Sequence, residues 1–73
     1  MKNDREIIDL EISKQIKIAM FRQQTTTAQL AYRLGESNRY VSGLKEGESC
    51  SMTTAKRVAW ALGMNLTRFL DLK

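Results

Sequence analysis

The sequence contains no proline and no histidine, and it has a single cysteine, Cys50, among its 73 residues. The absence of histidine removes the side chain most often used for proton transfer and for zinc coordination. A lone cysteine cannot form an internal disulfide, which is typical of proteins from a reducing compartment. Because a glycine-rich phosphate loop is also missing, we predict no enzyme activity and no cofactor. We expect Cys50 to be an incidental surface residue in a loop.

Long apolar runs are missing as well. No run approaches the ~18 consecutive residues that a membrane-spanning helix needs, and the mixed-charge segment Met1–Glu6 is unlike a secretory signal. We therefore expect a cytoplasmic protein without a membrane partner, and no small-molecule ligand is evident. The length allows one small domain, and the 42% hydrophobic fraction is sufficient for a compact core.

Apolar residues recur at helical spacing in five segments, so the sequence predicts an all-α protein without a sheet. The first helix is predicted from about Glu6 to Arg22, and its inward face is expected to hold Ile8, Ile12, Ile16, Ala19 and Met20. The other four helices are predicted to begin at polar N-caps, which are Thr26, Ser37, Ser51 and Asn65. Three of the helices are predicted to end at a glycine, namely Gly35, Gly47 and Gly63.

The segment from Thr27 to Glu46 is the most informative part of the chain. Its first half places small or apolar residues at i, i+1 and i+4, which are Leu30, Ala31 and Leu34. Gly35 follows as a hinge, and Val41 and Leu44 then give a second short helix its inward face. This spacing is typical of a helix-turn-helix, whose second helix enters the major groove of DNA.

From Ile12 to Leu70 the chain resembles the helix-turn-helix domain of the phage Cro/repressor (XRE-type) regulators. The likeness rests on the order and spacing of Ile12-Ser-Lys-Gln-Ile16, Thr26-Thr27-Ala-Gln-Leu-Ala31, Leu34-Gly35, Tyr40-Val-Ser-Gly-Leu44 and Val58-Ala-Trp-Ala-Leu-Gly63, followed by Leu66 and Phe69-Leu70. The resemblance implies a compact five-helix bundle, a lambda-repressor-like DNA-binding domain with the helix-turn-helix at helices 2 and 3. Residues 12–73 would form this domain, and residues 1–11 would be an N-terminal extension that continues into helix 1.

The resemblance also implies a transcriptional regulator that binds double-stranded DNA sequence-specifically. We expect a repressor that binds a pseudo-palindromic operator as a homodimer and is located at the nucleoid. Charge agrees with this expectation, because residues 12–45 carry six basic residues against one acidic residue and so favour phosphate binding. On charge alone, a solvated basic face is an equally good interpretation.

The predicted recognition helix exposes the residues that are not on its Val41 and Leu44 face. The candidates for base contacts are Asn38, Arg39, Tyr40, Ser42 and Gly43. Arginine pairs with guanine and asparagine with adenine, each through two hydrogen bonds. Gly43 is expected to allow close backbone approach, and Tyr40 has the alternative of packing over the second helix.

The predicted phosphate contacts lie mainly at the start of helix 2, where free backbone N–H groups and the helix dipole attract anions. They are Thr26, Thr27, Arg22, Gln23 and Lys45, whereas Lys14, Lys17, Lys56 and Arg57 are expected on solvated helix faces. Capping alone is the alternative role of both threonines. Where the resembling family commonly pairs a buried arginine with a glutamate, this chain has Met20 and Lys45, which frees Lys45 to face phosphate.

Five residues near the end of the chain form the predicted dimer surface, and they are Trp60, Leu66, Phe69, Leu70 and Leu72. The alternative for the helix 5 residues is that they close the core, and Trp60 is expected at the core edge. The extension, with Ile7 and Leu10 off the main apolar stripe, is the competing dimer surface. Two other functions stay open: a controller of a restriction–modification system, and a protein-binding module acting as an antitoxin or anti-repressor.

Overall fold

The chain is described by a computed structural model that covers the backbone of residues 4–48 and 50–72 and the side chains of residues 11–48 and 50–72. Within this part it forms five helices and no strand. The helices are α1 (Asp4–Arg22), α2 (Thr27–Leu34), α3 (Asn38–Lys45), α4 (Met52–Ala61) and α5 (Leu66–Leu70). The predicted all-α five-helix bundle is therefore confirmed.

Helix α1 begins at Asp4, slightly earlier than predicted, and runs without a break to Arg22. The backbone of the predicted extension is thus continuous with the first helix of the domain from residue 4 onward. The side chains of Ile7, Ile8 and Leu10 are outside the described residues, so the contact surface predicted there stays a prediction.

The core contains the inward faces that the helical spacing predicts. Its buried apolar residues are Ile12, Ile16, Ala19, Met20, Leu30, Ala31, Val41, Leu44, Cys50, Ala55, Val58, Ala59, Leu62 and Phe69. Helix α1 packs against α3, α4 and α5, and α2 packs against α3 and α4. This arrangement holds α2 and α3 side by side on one part of the surface.

Four helices begin at the N-caps that the sequence predicts, and these are Thr26, Ser37, Ser51 and Asn65. Each of these side chains accepts a hydrogen bond from the backbone N–H three residues later. At Thr26 the cap is reciprocal, because the Thr26 N–H also donates to Gln29 Oε1 over 2.9 Å. Such a capping box satisfies two backbone donors at once.

Helices α1 to α4 end with the same hydrogen-bond pattern around a left-handed residue. The residues with positive φ are Gln24 (53°), Gly35 (71°), Gly47 (93°) and Gly63 (72°). In each case the next N–H donates to a carbonyl five residues earlier, at Met20, Ala31, Gly43 and Ala59. Glycine is the usual residue here because it lacks the Cβ that disfavours positive φ. Gln24 is the exception.

Two arginines tie α2 to α4. Arg33 Nη1 donates to the carbonyl oxygen of Ala61 at the end of α4 over 3.4 Å. In the opposite direction, Arg57 Nη2 donates to the carbonyl oxygen of Leu34 over 3.1 Å and lies 3.5 Å from Glu36 Oε1. Arg57 is exposed, as predicted, and its guanidinium also binds the end of α2.

Cys50 also departs from expectation. The prediction of a surface cysteine is wrong, because Cys50 is buried in the core. Its Sγ donates to the carbonyl oxygen of Leu44 over 3.2 Å. The segment that follows α3 turns inward at this point, and the small apolar thiol fills the space beneath it.

Candidate nucleic-acid interface

Helix α3 has one face in the core and one face toward solvent. Val41 and Leu44 are fully buried, which fixes the rotation of the helix about its axis. Asn38, Arg39 and Ser42 are exposed on the other side. Among the described residues, none of these three side chains has a hydrogen-bond or ion-pair partner, so their polar groups are available to a ligand.

Two of the residues predicted to contact bases are placed differently. Tyr40 is half-buried and packs against the core. The prediction that Gly43 is open to close approach is wrong, because Gly43 is buried. The loop after α3 folds back, with the Glu48 N–H donating to the Gly43 carbonyl oxygen over 2.8 Å. A Cβ at Gly43 would lie 2.6 Å from Glu48 Oε2, so this side chain covers the glycine.

The start of α2 lies beside the end of α3. Lys45 Nζ donates to Thr27 Oγ1 over 2.7 Å, which joins the last turn of α3 to the first turn of α2. The ammonium group has three hydrogens, so two remain for another acceptor. The first N–H groups of a helix have no carbonyl partner within it, and in α2 only that of Gln29 is taken up by Thr26. The N–H groups of Thr27 and Ala28 therefore face outward with the positive end of the helix dipole.

The position of Lys45 is fixed by contacts on its backbone. The buried hydroxyl of Ser13 on α1 donates to the Lys45 carbonyl oxygen over 2.6 Å. Met20 is buried in the core. Because its side chain is apolar, it needs no charged partner at the position of Lys45. Lys45 itself is only half-buried, so its charge keeps contact with solvent.

A groove of about 1020 Å³ runs between the end of α1, the start of α2 and the outer side of α3. Its lining includes three cationic side chains, which are Lys17, Arg22 and Lys45. The one carboxylate in the lining is that of Glu46. The groove reaches α3 at Ser42, so the cationic surface is continuous with the exposed face of α3. A concave cationic surface of this kind attracts phosphate groups.

Four of the five predicted phosphate contacts line this groove, and the fifth, Gln23, makes a contact within the protein instead. Arg22, Thr26, Thr27 and Lys45 line the groove. Thr26 has a structural task as well, since its hydroxyl caps α2. Gln23 is outside the lining, and its Nε2 donates to the Leu62 carbonyl oxygen at the end of α4 over 2.8 Å.

Six of the residues that line the groove are not among the contacts that the sequence predicts, and Lys17 and Phe21 are two of them. The sequence places Lys17 on a solvated face and assigns no role to Phe21, yet both lie in the wall formed by α1. Phe21 is 85% exposed. Their separation of four residues places them on one side of the helix, and this spacing is the signal that could have pointed to them.

The predicted dimer surface is not a single patch. Phe69 is 0% exposed, so its assignment to a dimer surface is wrong and its ring closes the core. Leu66 is partly buried against the same core. Leu70 and Leu72 line a groove of about 410 Å³ with Met52 and residues of α1. Gln15 joins α1 to the end of α5, since its Nε2 donates to the carbonyl oxygens of Leu70 and Leu72 over 2.7 and 2.8 Å.

Trp60 lies on a different surface. It is 80% exposed, so the expectation that it sits at the core edge is wrong. Together with Arg33, Leu34, Lys56 and Arg57 it lines a second groove of about 410 Å³ between α2 and α4. Trp60 and Leu70 therefore belong to separate surfaces.

No family model, no curated protein and no solved structure matches this chain. In the part of the chain that the structure describes, no group of three His, Cys, Asp or Glu residues is arranged to hold a metal ion. None of the described helices combines the length and the apolar character needed to cross a membrane.

Proposed function

We propose that this protein is a sequence-specific double-stranded DNA-binding regulator of transcription, acting as a repressor at the nucleoid, in which α3 enters the major groove. The observation that carries the proposal is the continuity between two surfaces. The unpartnered side chains of Asn38, Arg39 and Ser42 on α3 adjoin a groove lined by three cations. Base recognition and phosphate binding need these two surfaces next to each other. The resemblance to the XRE-type regulators supports the same assignment of roles.

The exposed side chains of α3 suit the hydrogen-bonding groups of the major groove. Arg39 would donate two hydrogen bonds to O6 and N7 of a guanine, and Asn38 would pair with N6 and N7 of an adenine. Each such pair contributes about 1–3 kcal/mol of discrimination against a wrong base. Ser42 can donate or accept a hydrogen bond, so it would discriminate weakly.

Two copies of the chain would bind together. One α3 helix offers few base contacts, whereas two copies with their α3 helices about 34 Å apart would read two half-sites of a pseudo-palindrome. Since Phe69 is in the core, we propose that pairing uses the surface around Met52, Leu70 and Leu72, all of which line one groove. Its exposed apolar side chains would be buried by a second copy.

Selection from a randomised duplex library of about 30 base pairs tests the proposal, since that length holds two half-sites one helical turn apart. We expect an inverted repeat to be enriched, and its affinity to fall steeply with salt as counterions are released. If no sequence is enriched over the starting library, the proposal of sequence-specific binding is wrong.

A protein-binding module is the second candidate function, and exposed aromatic residues favour it. Tyr32 and Trp60 are 88% and 80% exposed, and aromatic residues are enriched in protein interfaces. In that case an antitoxin or anti-repressor would use these rings, and DNA binding would be insensitive to Arg39→Ala. A restriction–modification controller would instead use the same DNA surface and would activate as well as repress.

A further inference from the structure

We infer that the groove between α1, α2 and α3 binds the sugar–phosphate backbone of one DNA strand, with Lys17 pairing with a phosphate and Phe21 packing against a deoxyribose. This inference rests on the proposed function and adds contacts from α1, outside the helix that reads bases. Phe21 and Lys17 would set how deeply α3 enters the major groove.

The geometry of α1 brings the two side chains to one wall of the groove. Lys17 and Phe21 are one helical turn apart, and both line the groove together with Thr27 and Lys45. The hydroxyl of Ser13, one turn before Lys17, donates a hydrogen bond to the carbonyl oxygen of Lys45 over 2.6 Å. The wall of α1 is therefore held in a fixed position relative to α3.

The charge of the lining identifies the occupant as an anion. The lining contains three cationic side chains, those of Lys17, Arg22 and Lys45, and one carboxylate, that of Glu46. The hydroxyl of Thr27 and the outward N–H groups at the start of α2 add neutral donors. Donors of this kind bind phosphate oxygens in protein–DNA complexes.

Phe21 shows why a nucleic-acid strand fits better than a free phosphate ion. Its ring is 85% exposed at the rim of a cationic groove, where an inorganic anion would leave it in water. A strand backbone alternates anionic phosphates with sugars that present C–H groups. Burying the ring against a sugar would remove apolar surface from water while Lys17 and Lys45 hold the neighbouring phosphates.

Lys17 and Phe21 should respond differently to salt, and this difference provides the test. The selected duplex is titrated with the wild-type protein, Lys17→Ala, Phe21→Ala and the control Lys56→Ala over a series of salt concentrations. Lys56 is exposed on α4 and lines the separate groove that contains Trp60, away from both the proposed DNA surface and the proposed pairing surface. Circular dichroism establishes that each variant is folded.

We expect Lys17→Ala to weaken binding and to reduce the slope of log affinity against log salt by about 1.8, since each of the two copies loses one ion pair with phosphate and each pair accounts for about 0.9. Phe21→Ala should weaken binding about tenfold, equivalent to about 1.4 kcal/mol, with no change in slope, because the ring carries no charge. Lys56→Ala should bind like the wild type.

Wild-type affinity in either Lys17→Ala or Phe21→Ala would overturn the inference and leave the proposed function intact. Equal reductions in affinity in Lys56→Ala and Lys17→Ala would also overturn it, since they would indicate a general effect of positive charge. A wild-type protein that binds no duplex would overturn the proposed function itself.

Discussion

At the start of α2, neighbouring threonines have different tasks. Thr26 exchanges two hydrogen bonds with Gln29 in a capping box, whereas the hydroxyl of Thr27 accepts from Lys45. The first arrangement lies within one helix and stabilises the fold. The second joins two helices on the proposed phosphate surface. Replacing each threonine should therefore affect a different property.

Thr26→Ala should lower the free energy of unfolding by about 1 kcal/mol, the usual cost of removing a side-chain N-cap. Thr26→Ser keeps the hydroxyl and should remain close to the wild type. Urea unfolding followed by circular dichroism measures both values. Equal stability of the alanine and serine variants would show that the cap contributes nothing.

Four helix ends share one hydrogen-bond pattern, but only Gln24 carries a side chain at the left-handed position. A positive φ disfavours a residue with a Cβ by about 1–2 kcal/mol relative to the right-handed region. At Gly35 an added Cβ would meet no atom within 4 Å, so its effect is conformational rather than steric. Exchanging glycine and a residue with a Cβ at these two positions should therefore change the free energy of unfolding in opposite directions.

Gln24→Gly should raise the free energy of unfolding, and Gly35→Ala should lower it, each by about 1 kcal/mol. Urea unfolding measures both changes. The midpoint should shift while the m-value, the slope of the free energy of unfolding against urea concentration, stays the same. Gly63→Ala is the control for Gly35→Ala, since it has nearly the same φ and also has open space around a Cβ. A destabilising Gln24→Gly would contradict this explanation of the helix ends.

Helix ends depend on local sequence, whereas the loop after α3 depends on tertiary packing. The caps at Thr26 and Ser37 and the turn at Gly35 were predictable, because they depend on residues within one turn of the helix. The position of the Glu48 side chain over Gly43 and the burial of Cys50 were not predictable, because both depend on how the loop after α3 folds back. The DNA-binding assignments of Asn38 and Arg39 remain predictions.

The groove beside α2 depends on still longer separations along the chain. The sequence identifies Thr27 and Lys45 as separate candidates, but only the fold brings them within hydrogen-bonding distance. Lys17 and Phe21 belong to the same groove through the packing of α1. A charge count along the sequence cannot distinguish such a surface from a solvated helix face.

Phe69 and Leu70 are neighbours on α5, but Phe69 contributes to the stability of the fold and Leu70 to the proposed dimer surface. Phe69 is fully buried, whereas Leu70 is exposed on the next position of α5. Phe69→Ala should cost about 3–5 kcal/mol, which is a large part of the roughly 5–15 kcal/mol typical of whole domains. Thermal unfolding followed by circular dichroism should show a greatly lowered midpoint.

Leu70→Asp should leave the fold intact and weaken dimerisation, because it places a charge on the surface proposed for pairing. Sedimentation equilibrium of the wild type and this variant measures the change in dimer dissociation constant. Trp60→Ala, on the separate groove beside α2, is the control. If Leu70→Asp remains as dimeric as the wild type, the pairing surface lies elsewhere.

Base recognition by α3 through Arg39 can be tested by removing the guanine N7 that Arg39 would contact. The affinities of the wild type and Arg39→Ala are compared on the selected duplex and on copies in which each guanine in turn is replaced by 7-deazaguanine, which lacks the N7 acceptor. Arg68→Ala, an exposed arginine on α5, serves as the matched control.

We predict that replacing one guanine in each half-site weakens wild-type binding, and that the same replacement has no further effect on Arg39→Ala. The coupling free energy between the residue and the base should be about 1–3 kcal/mol. Arg68→Ala should show the wild-type response. If every replacement affects Arg39→Ala as strongly as the wild type, Arg39 does not contact a guanine N7 and the proposed role of α3 is contradicted.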